Sequence, residues 1–128
     1  MVAFDRNADK LNIARQCGAD HVINDRGKSS VDITTELNQA VGQEDLDAIM
    51  DCAGAPEMMQ LAFSLLSISG HYADVGLVGD CIDIPLFPRV RREQTFHGSF
   101  WGNYTDLSEV IGACHRKQDS SHDQGLQI

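Results

Sequence analysis

An acidic residue closes the first apolar run of the chain, Val-Ala-Phe-Asp at positions 2–5. A carboxylate at the end of a short buried strand can accept hydrogen bonds from both hydroxyls of a ribose, and its charge repels a phosphate on that sugar. In dinucleotide-binding folds such an acid follows a glycine-rich turn by about 20 residues. Here only four residues precede Asp5, so the sequence reads as one that starts within such a domain. Taken without its neighbours, Asp5 reads better as an acid placed at a helix start to complement the dipole.

The other reactive side chains form no catalytic set. Cys17, Cys52, Cys81 and Cys114 are far apart, with no Cys-x-x-Cys pair and no Cys/His cluster of zinc-ligand type. They are expected to be free and mostly buried, in a reducing compartment. No base is placed to activate any of them. His21, His71, His97, His115 and His122 show no His-x-x-x-His spacing, and the last two read as parts of a solvated tail. No catalytic residue and no metal ligand is assigned. A formal net charge of −9 over 128 residues argues against nucleic acid or an anionic membrane as partner. No apolar stretch approaches the ~18 residues that a membrane span needs, and no secretory leader pattern is visible. A cytoplasmic protein of one domain at most is expected.

Alternating strand and helix patterns must place these residues. Residues 2–4 read as a strand. Asn7 caps a helix to Cys17, with Leu11 and Ala14 inward and Gly18 as its stop. Residues 21–23 make a second strand and residues 25–30 a polar turn. Ile33, Leu37, Ala40 and Val41 recur at helical spacing up to Gly42. Residues 47–51, Asp-Ala-Ile-Met-Asp, form a strand stopping at Cys-Ala-Gly. Pro56 opens a helix striped by Met58, Leu61, Ala62 and Leu65, and ended by Ser69-Gly70. Residues 71–75 form a strand closed by Gly76. Residues 80–92 hold a short strand at 82–84 and two prolines that argue against a long helix. Residues 95–100 are a strand ending in Trp101-Gly102. Thr105 caps a last helix with Leu107, Val110, Ile111 and Cys114 inward, and residues 115–128 are expected to be a disordered polar tail. Short apolar strands alternating with helices of about ten residues mean a parallel sheet with crossover helices. The fold class is α/β.

Four segments, in order and at compatible spacing, carry a resemblance. They are Phe-Asp-Arg-Asn-Ala-Asp-Lys-Leu (4–11), Cys-Gly-Ala-Asp-His-Val-Ile (17–23), Leu-Asp-Ala-Ile-Met-Asp-Cys-Ala-Gly (46–54) and Gly-His-Tyr-Ala-Asp-Val-Gly (70–76). With Phe-His-Gly-Ser-Phe-Trp-Gly at 96–102, the chain resembles the nucleotide-binding half of zinc-type, medium-chain alcohol dehydrogenases over about residues 1–114. The resemblance implies a partial doubly wound parallel sheet of Rossmann type, lacking its first strand and glycine-rich turn. It implies a truncated dinucleotide-binding domain over residues 1–114. Asp5 matches the adenosine-ribose ligand, which implies NAD rather than NADP; Arg6 beside it is a residue type used to accept a 2′-phosphate. Lys10 matches a lysine that also reaches the ribose, a solvated helix lysine being the plain alternative. Cys52, Ala53 and Gly54 match the loop under the adenine and nicotinamide-ribose side. Val75, Gly76 and Leu77 match the strand end whose backbone holds the nicotinamide carboxamide, and Ser99, Phe100 and Trp101 the last contact on that ring. A plain strand-to-helix turn explains each glycine equally well.

In the family a zinc ion polarises the alcohol oxygen and hydride passes to nicotinamide. Its ligands belong to a catalytic domain that is not recognisable in this sequence. The implied function is therefore a fragment of an NAD-dependent alcohol or polyol dehydrogenase, acting on a small-molecule alcohol when complete and inactive alone. Two other readings stay open: a Rossmann-like methyltransferase, which also ends its second strand in an acid, and a non-catalytic module completed by a partner. Residues 80–100, with Ile-Asp-Ile-Pro-Leu-Phe, are a candidate homo-oligomer surface. The family's strand order, 3-2-1-4-5-6, puts the missing strand at the centre and leaves two unpaired inner edges. Each unsatisfied buried backbone group costs about 1–3 kcal/mol, against a total stability of about 5–15 kcal/mol. The piece is expected to be marginal, to aggregate, or to close the gap by pairing strands across it or by exchanging strands between chains. Without amide donors for the pyrophosphate, NAD binding tighter than millimolar is not expected.

Overall fold

A computed structural model describes residues 1–42 and 45–123, with residues 115–123 described by their backbone path. The chain divides into two compact units, Met1–Gly98 and Ser99–Ile128. The first unit runs β1 (Val2–Asp5), α1 (Ala8–Gln16), β2 (His21–Asn24), α2 (Ser30–Val41), β3 (Leu46–Asp51), α3 (Pro56–Leu65), β4 (Leu66–Asp74), α4 (Leu86–Arg92) and β5 (Thr95–Gly98).

The first two helices begin and end where their capping residues dictate. Asn7 Oδ1 accepts the Asp9 N–H at 2.8 Å, and Gly18 (φ +103°) follows the last turn of α1. Ser29 and Asp32 form a reciprocal capping box at the start of α2. The Ser29 hydrogen bonds hold the Asp32 carboxyl below its ordinary range. Gly42, at φ +69° in the left-handed region, closes the helix with its N–H on the Asn38 carbonyl at 2.9 Å.

All strand pairs are parallel, but they make two sheets. β1 pairs with β2, and β4 lies between β3 and β5. Among the described residues no ladder joins β1 to β3. The split falls where the strand order implied it, and the expected closure by pairing across the gap does not form. Side chains bridge the division instead. Ile23, Ile33, Leu37, Leu61 and Leu65 form one buried cluster, with Val2 and Phe4 of β1 and Leu46 of β3 packed against it. A second cluster joins Met59, Phe63, Leu66 and Tyr72.

The end of α3 departs from the sequence reading. The helix stops at Leu65, not at Ser69-Gly70, and β4 starts at the next residue. The adjacent leucines are both buried and belong to different clusters, Leu65 to the first and Leu66 to the second. A continuing helix would turn Leu66 only about 100° from Leu65, whereas strand geometry sends successive side chains to opposite faces. The β3–β4 register then shifts between Leu46 and Ala48, with Ser69 at φ 57°. No local cap finishes α3. Its last carbonyls are met from further along the chain: Arg89 Nη1 donates to Phe63 O (2.5 Å), Arg92 Nη1 to Leu66 O (2.8 Å) and Gln94 Nε2 to Leu66 O (2.7 Å).

Three further expectations need correction. No strand forms at 82–84; Ile82 and Ile84 pack against the second cluster from a loop that ends at Pro85. The helix that follows is short, as the two prolines imply: α4 has seven residues, with Pro85 as its N-cap and Pro88 in its first turn, where no N–H partner is needed. β5 ends at Gly98 instead of residue 100. All four cysteines are free, but they are exposed and not buried, because they stand at a helix end, in loops and on an open helix face.

The second unit is built on α5 (Tyr104–Asp123). Asn103, not Thr105, caps it: Asn103 Oδ1 accepts the Thr105 N–H at 2.7 Å, and Asp106 Oδ2 accepts the Asn103 N–H at 2.7 Å. Leu107, Val110, Ile111 and Cys114 are exposed where an inward face was expected, since among the described residues of its own unit this helix meets no second apolar layer. The helical backbone passes the expected boundary at residue 114 and continues to Asp123; the rest of the expected tail, 124–128, lies outside the described residues.

Leu37 is fully buried in the cluster that links the two sheets, whereas Ile13 is 57% exposed. Leu37→Ala is expected to lower stability by about 2–5 kcal/mol, read as a fall in the urea midpoint. Ile13→Ala should change it by no more than about 0.5 kcal/mol.

Candidate functional site

β1 delivers Asp5 to its carboxyl end, opposite Asn24 of β2. The Asn7 N–H donates to Asp5 Oδ1 at 2.8 Å, which orients the carboxylate without consuming its second oxygen. Lys10 Nζ, from α1, stands 3.8 Å from Asp5 Oδ2. Such an exposed pair adds only about 0–1 kcal/mol of stability, so it neither explains nor neutralises the acid. The Asp5 side chain remains one-third exposed, at 33%.

Asp5 forms part of the wall of an open cavity of about 910 Å³, with Arg6, Asn24, Asp25, Arg26 and Lys28 among its lining residues. These come from the ends of β1 and β2, the position at which parallel α/β sheets hold ligands. Arg6 Nε lies 3.6 Å from Oδ2 of the buried Asp25. Lys28 pairs with Glu36.

A second group forms where β3 and β4 end. Asp51 Oδ1 accepts the N–H groups of Ala53 (2.8 Å) and Gly54 (2.9 Å), while its Oδ2 accepts the Tyr72 hydroxyl (2.7 Å). Burial and this carboxylate push the fully buried Tyr72 phenol well above its ordinary value. The Asp51 carbonyl takes the N–H of Val75 at 2.8 Å and of Gly76 at 3.2 Å. Val78 and Gly79 then donate to the carbonyls of Ala53 and Gly54. The loop after β3 and the loop after β4 are thus bonded backbone to backbone.

That closeness decides what the glycines are for. A Cβ on Gly76 would sit 2.0 Å from the Ala53 carbonyl carbon, and one on Gly54, at φ +70°, would sit 2.5 Å from the Gly76 oxygen. A turn alone does not demand this. Cys52, Val75 and Leu77 are exposed beside the contact.

The candidates therefore fall into separate sets. Asp5 and Arg6 share one wall, with Lys10 paired to Asp5; Cys52, Ala53 and Gly54 adjoin Val75, Gly76 and Leu77. Ser99, Phe100 and Trp101 belong to the second unit, where the two aromatic rings meet edge to face at 5.6 Å. Asp25, Asp51 and Tyr72 were not among the residues singled out by sequence. Asp51 could have been found as the acid closing its strand, but its partner Tyr72 is 21 residues away. Among the described residues no group of three His, Cys, Asp or Glu side chains could hold a metal ion. No helix among them is long and apolar enough to cross a membrane.

Comparison with known proteins matches residues 1–116 to the family described as zinc-binding dehydrogenase. The D-xylulose reductase of Saccharomyces cerevisiae is 27% identical over 117 residues, which cover 88% of this chain and 33% of the relative. An alcohol dehydrogenase of Rhizobium meliloti is 33% identical over 111 residues, covering 87% and 31%. The crystal structure of the alcohol dehydrogenase from the archaeon Aeropyrum pernix superposes with a TM-score of 0.76 at 28% identity, over 91% of this chain and 32% of that one. The chain thus spans about a third of the length of these relatives.

Tyr72→Phe leaves Asp51 Oδ2 without the hydroxyl and is expected to cost about 1–3 kcal/mol. Gly76→Ala forces two backbones apart and should cost about 1–3 kcal/mol or more. Urea unfolding of each variant reads both values.

Proposed function

Because the chain belongs to the zinc-binding dehydrogenase family, we propose that it forms part of the nucleotide-binding region of an NAD-dependent alcohol or polyol dehydrogenase. One observation carries this reading: Asp5 is held at the end of β1 by the Asn7 N–H, with Lys10 beside it and an open cavity in front. A carboxylate so placed accepts from the two hydroxyls of an adenosine ribose and repels a 2′-phosphate. The S. cerevisiae and R. meliloti relatives, a D-xylulose reductase and an alcohol dehydrogenase, support an alcohol or polyol as the substrate class.

NAD, when bound, supplies the hydride acceptor. The residues of this chain bind and orient it. Asp5 and Lys10 hold the adenosine ribose, and Arg6, engaged by Asp25, is left out of that contact. The loops at 52–54 and 75–77, locked together where Gly54 and Gly76 carry no Cβ, line the nicotinamide side of the cofactor. Asp51, through the Ala53 and Gly54 N–H groups, fixes the first of these loops. Ser99, Phe100 and Trp101 are proposed, from the family resemblance, as a further contact on the nicotinamide. The described residues do not offer a zinc ion the donors it needs, and no step is assigned to a metal. Exposed Leu86, Phe87, Val90 and Phe96 support residues 80–100 as a self-association surface.

An amide-detected NMR titration of the chain with NAD tests the reading. Shifts are expected at residues 5–10, 52–54 and 75–77, with a dissociation constant of about 1 mM or weaker, equivalent to about −4 kcal/mol. Asp5→Asn should weaken binding about tenfold, as loss of a charged acceptor predicts. Shifts confined to other residues, or binding indifferent to Asp5→Asn, would refute it.

The self-association surface has its own test. Phe87 is 76% exposed, and Phe87→Asp should shift the sedimentation profile of the chain towards monomer without altering its circular dichroism.

A further inference from the structure

Asp25 is the one buried charged residue among the described residues, 9% exposed at the carboxyl end of β2. Its Oδ1 has no hydrogen-bond partner, and its Oδ2 faces Arg6 Nε at 3.6 Å. The pair is asymmetric, since the Asp25 side chain is 7% exposed and that of Arg6 67%. Arg6 could be solvated anywhere along its reach. Asp25 cannot, and moving Arg6 away would strand a desolvated carboxylate. The carboxylate therefore holds the guanidinium, not the reverse.

Arg6 follows Asp5 directly and lines the same cavity, so its guanidinium, if released, could answer a phosphate on a sugar held by Asp5. The other cations are differently engaged: Lys10 pairs with Asp5, and Lys28 of the cavity lining pairs with Glu36. Arg26 lines the cavity without an ion pair.

We propose that Asp25 is a specificity-determining residue of this cavity, a positioning group that withholds Arg6 from a ribose 2′-phosphate and so selects the unphosphorylated nucleotide. The inference rests on reading the cavity as an adenosine-ribose site. It assigns the choice of cofactor to two carboxylates with different tasks. Asp5 acts on the ribose itself, while Asp25 acts only through Arg6.

The test is an amide-detected NMR titration of the full chain with adenosine 2′-monophosphate and, separately, adenosine 5′-monophosphate. The native chain is compared with Asp25→Asn, Arg6→Gln and the double variant; Arg26 is common to all. The native chain should prefer the 5′-monophosphate. Asp25→Asn should raise affinity for the 2′-monophosphate about five- to tenfold, the gain of a charge-assisted guanidinium contact, with much less change for the 5′-monophosphate. Adding Arg6→Gln should return the ratio to its native value. A gain that persists in the double variant reflects a general loss of negative charge and overturns the proposal. So does a severalfold loss of 2′-monophosphate binding in Arg6→Gln alone, which would mean that Arg6 is already free; this exposed substitution decides the matter even where Asp25→Asn fails to fold. Binding at Asp5 with an unaltered ratio overturns the latch alone. No shift at residues 5–28 with either nucleotide overturns the ribose-site reading along with it.

Discussion

The carboxyl ends of β3 and β4 are held in register by Asp51. Its side chain fixes the two N–H groups that follow it and takes the buried Tyr72 hydroxyl, while its carbonyl receives the start of the loop after β4. With these bonds made, the backbones of Ala53, Gly54 and Gly76 lie closer than any Cβ would permit. The close contact of the two loops is thus a consequence of hydrogen bonding beneath it. The acid that closes β3 organises a loop, whereas Asp5, which closes β1, stays available to a ligand.

Much of this was legible in the residues because it is local. Asn7 and Gly42 announce helix ends through their own chemistry, and the sequence reading places those ends within a residue or two, whereas Ser29, the cap of α2, reads only as part of a polar turn. The segments that carry the family likeness end strands at the positions where the structure forms its cavity and its glycine contact. What escaped is long-range. The stop of α3 at Leu65 depends on two neighbouring leucines entering different clusters, which no periodicity reveals. Asp25 reads as one more polar residue in a turn until its burial and its Arg6 partner are seen. The exposed stripe of α5 has helical spacing with nothing among the described residues of its own unit to cover it; period reports a face, not its partner.

The division of the strands into a pair and a triplet shows which forces join them. Backbone ladders hold β1 to β2 and β3 to β4 to β5. Between the two groups the cohesion is hydrophobic, through Leu37, Leu61, Leu65 and the residues of β1 and β3 that pack on them. Hydrophobic packing is non-directional and tolerates small rotations, while a ladder does not. The cavity at Asp5 is therefore rigid with respect to β2, and the glycine contact rigid with respect to β4, each within its own sheet.

The finish of α3 carries a further implication. Its terminal carbonyls are capped by Arg89, Arg92 and Gln94, donors 26 to 28 residues further along the chain. A chain emerging from a ribosome would carry those oxygens hydrated until the segment bearing the arginines had been synthesised. Completion of that helix, and the burial of Leu66 beneath it, is thus a late event in biosynthesis.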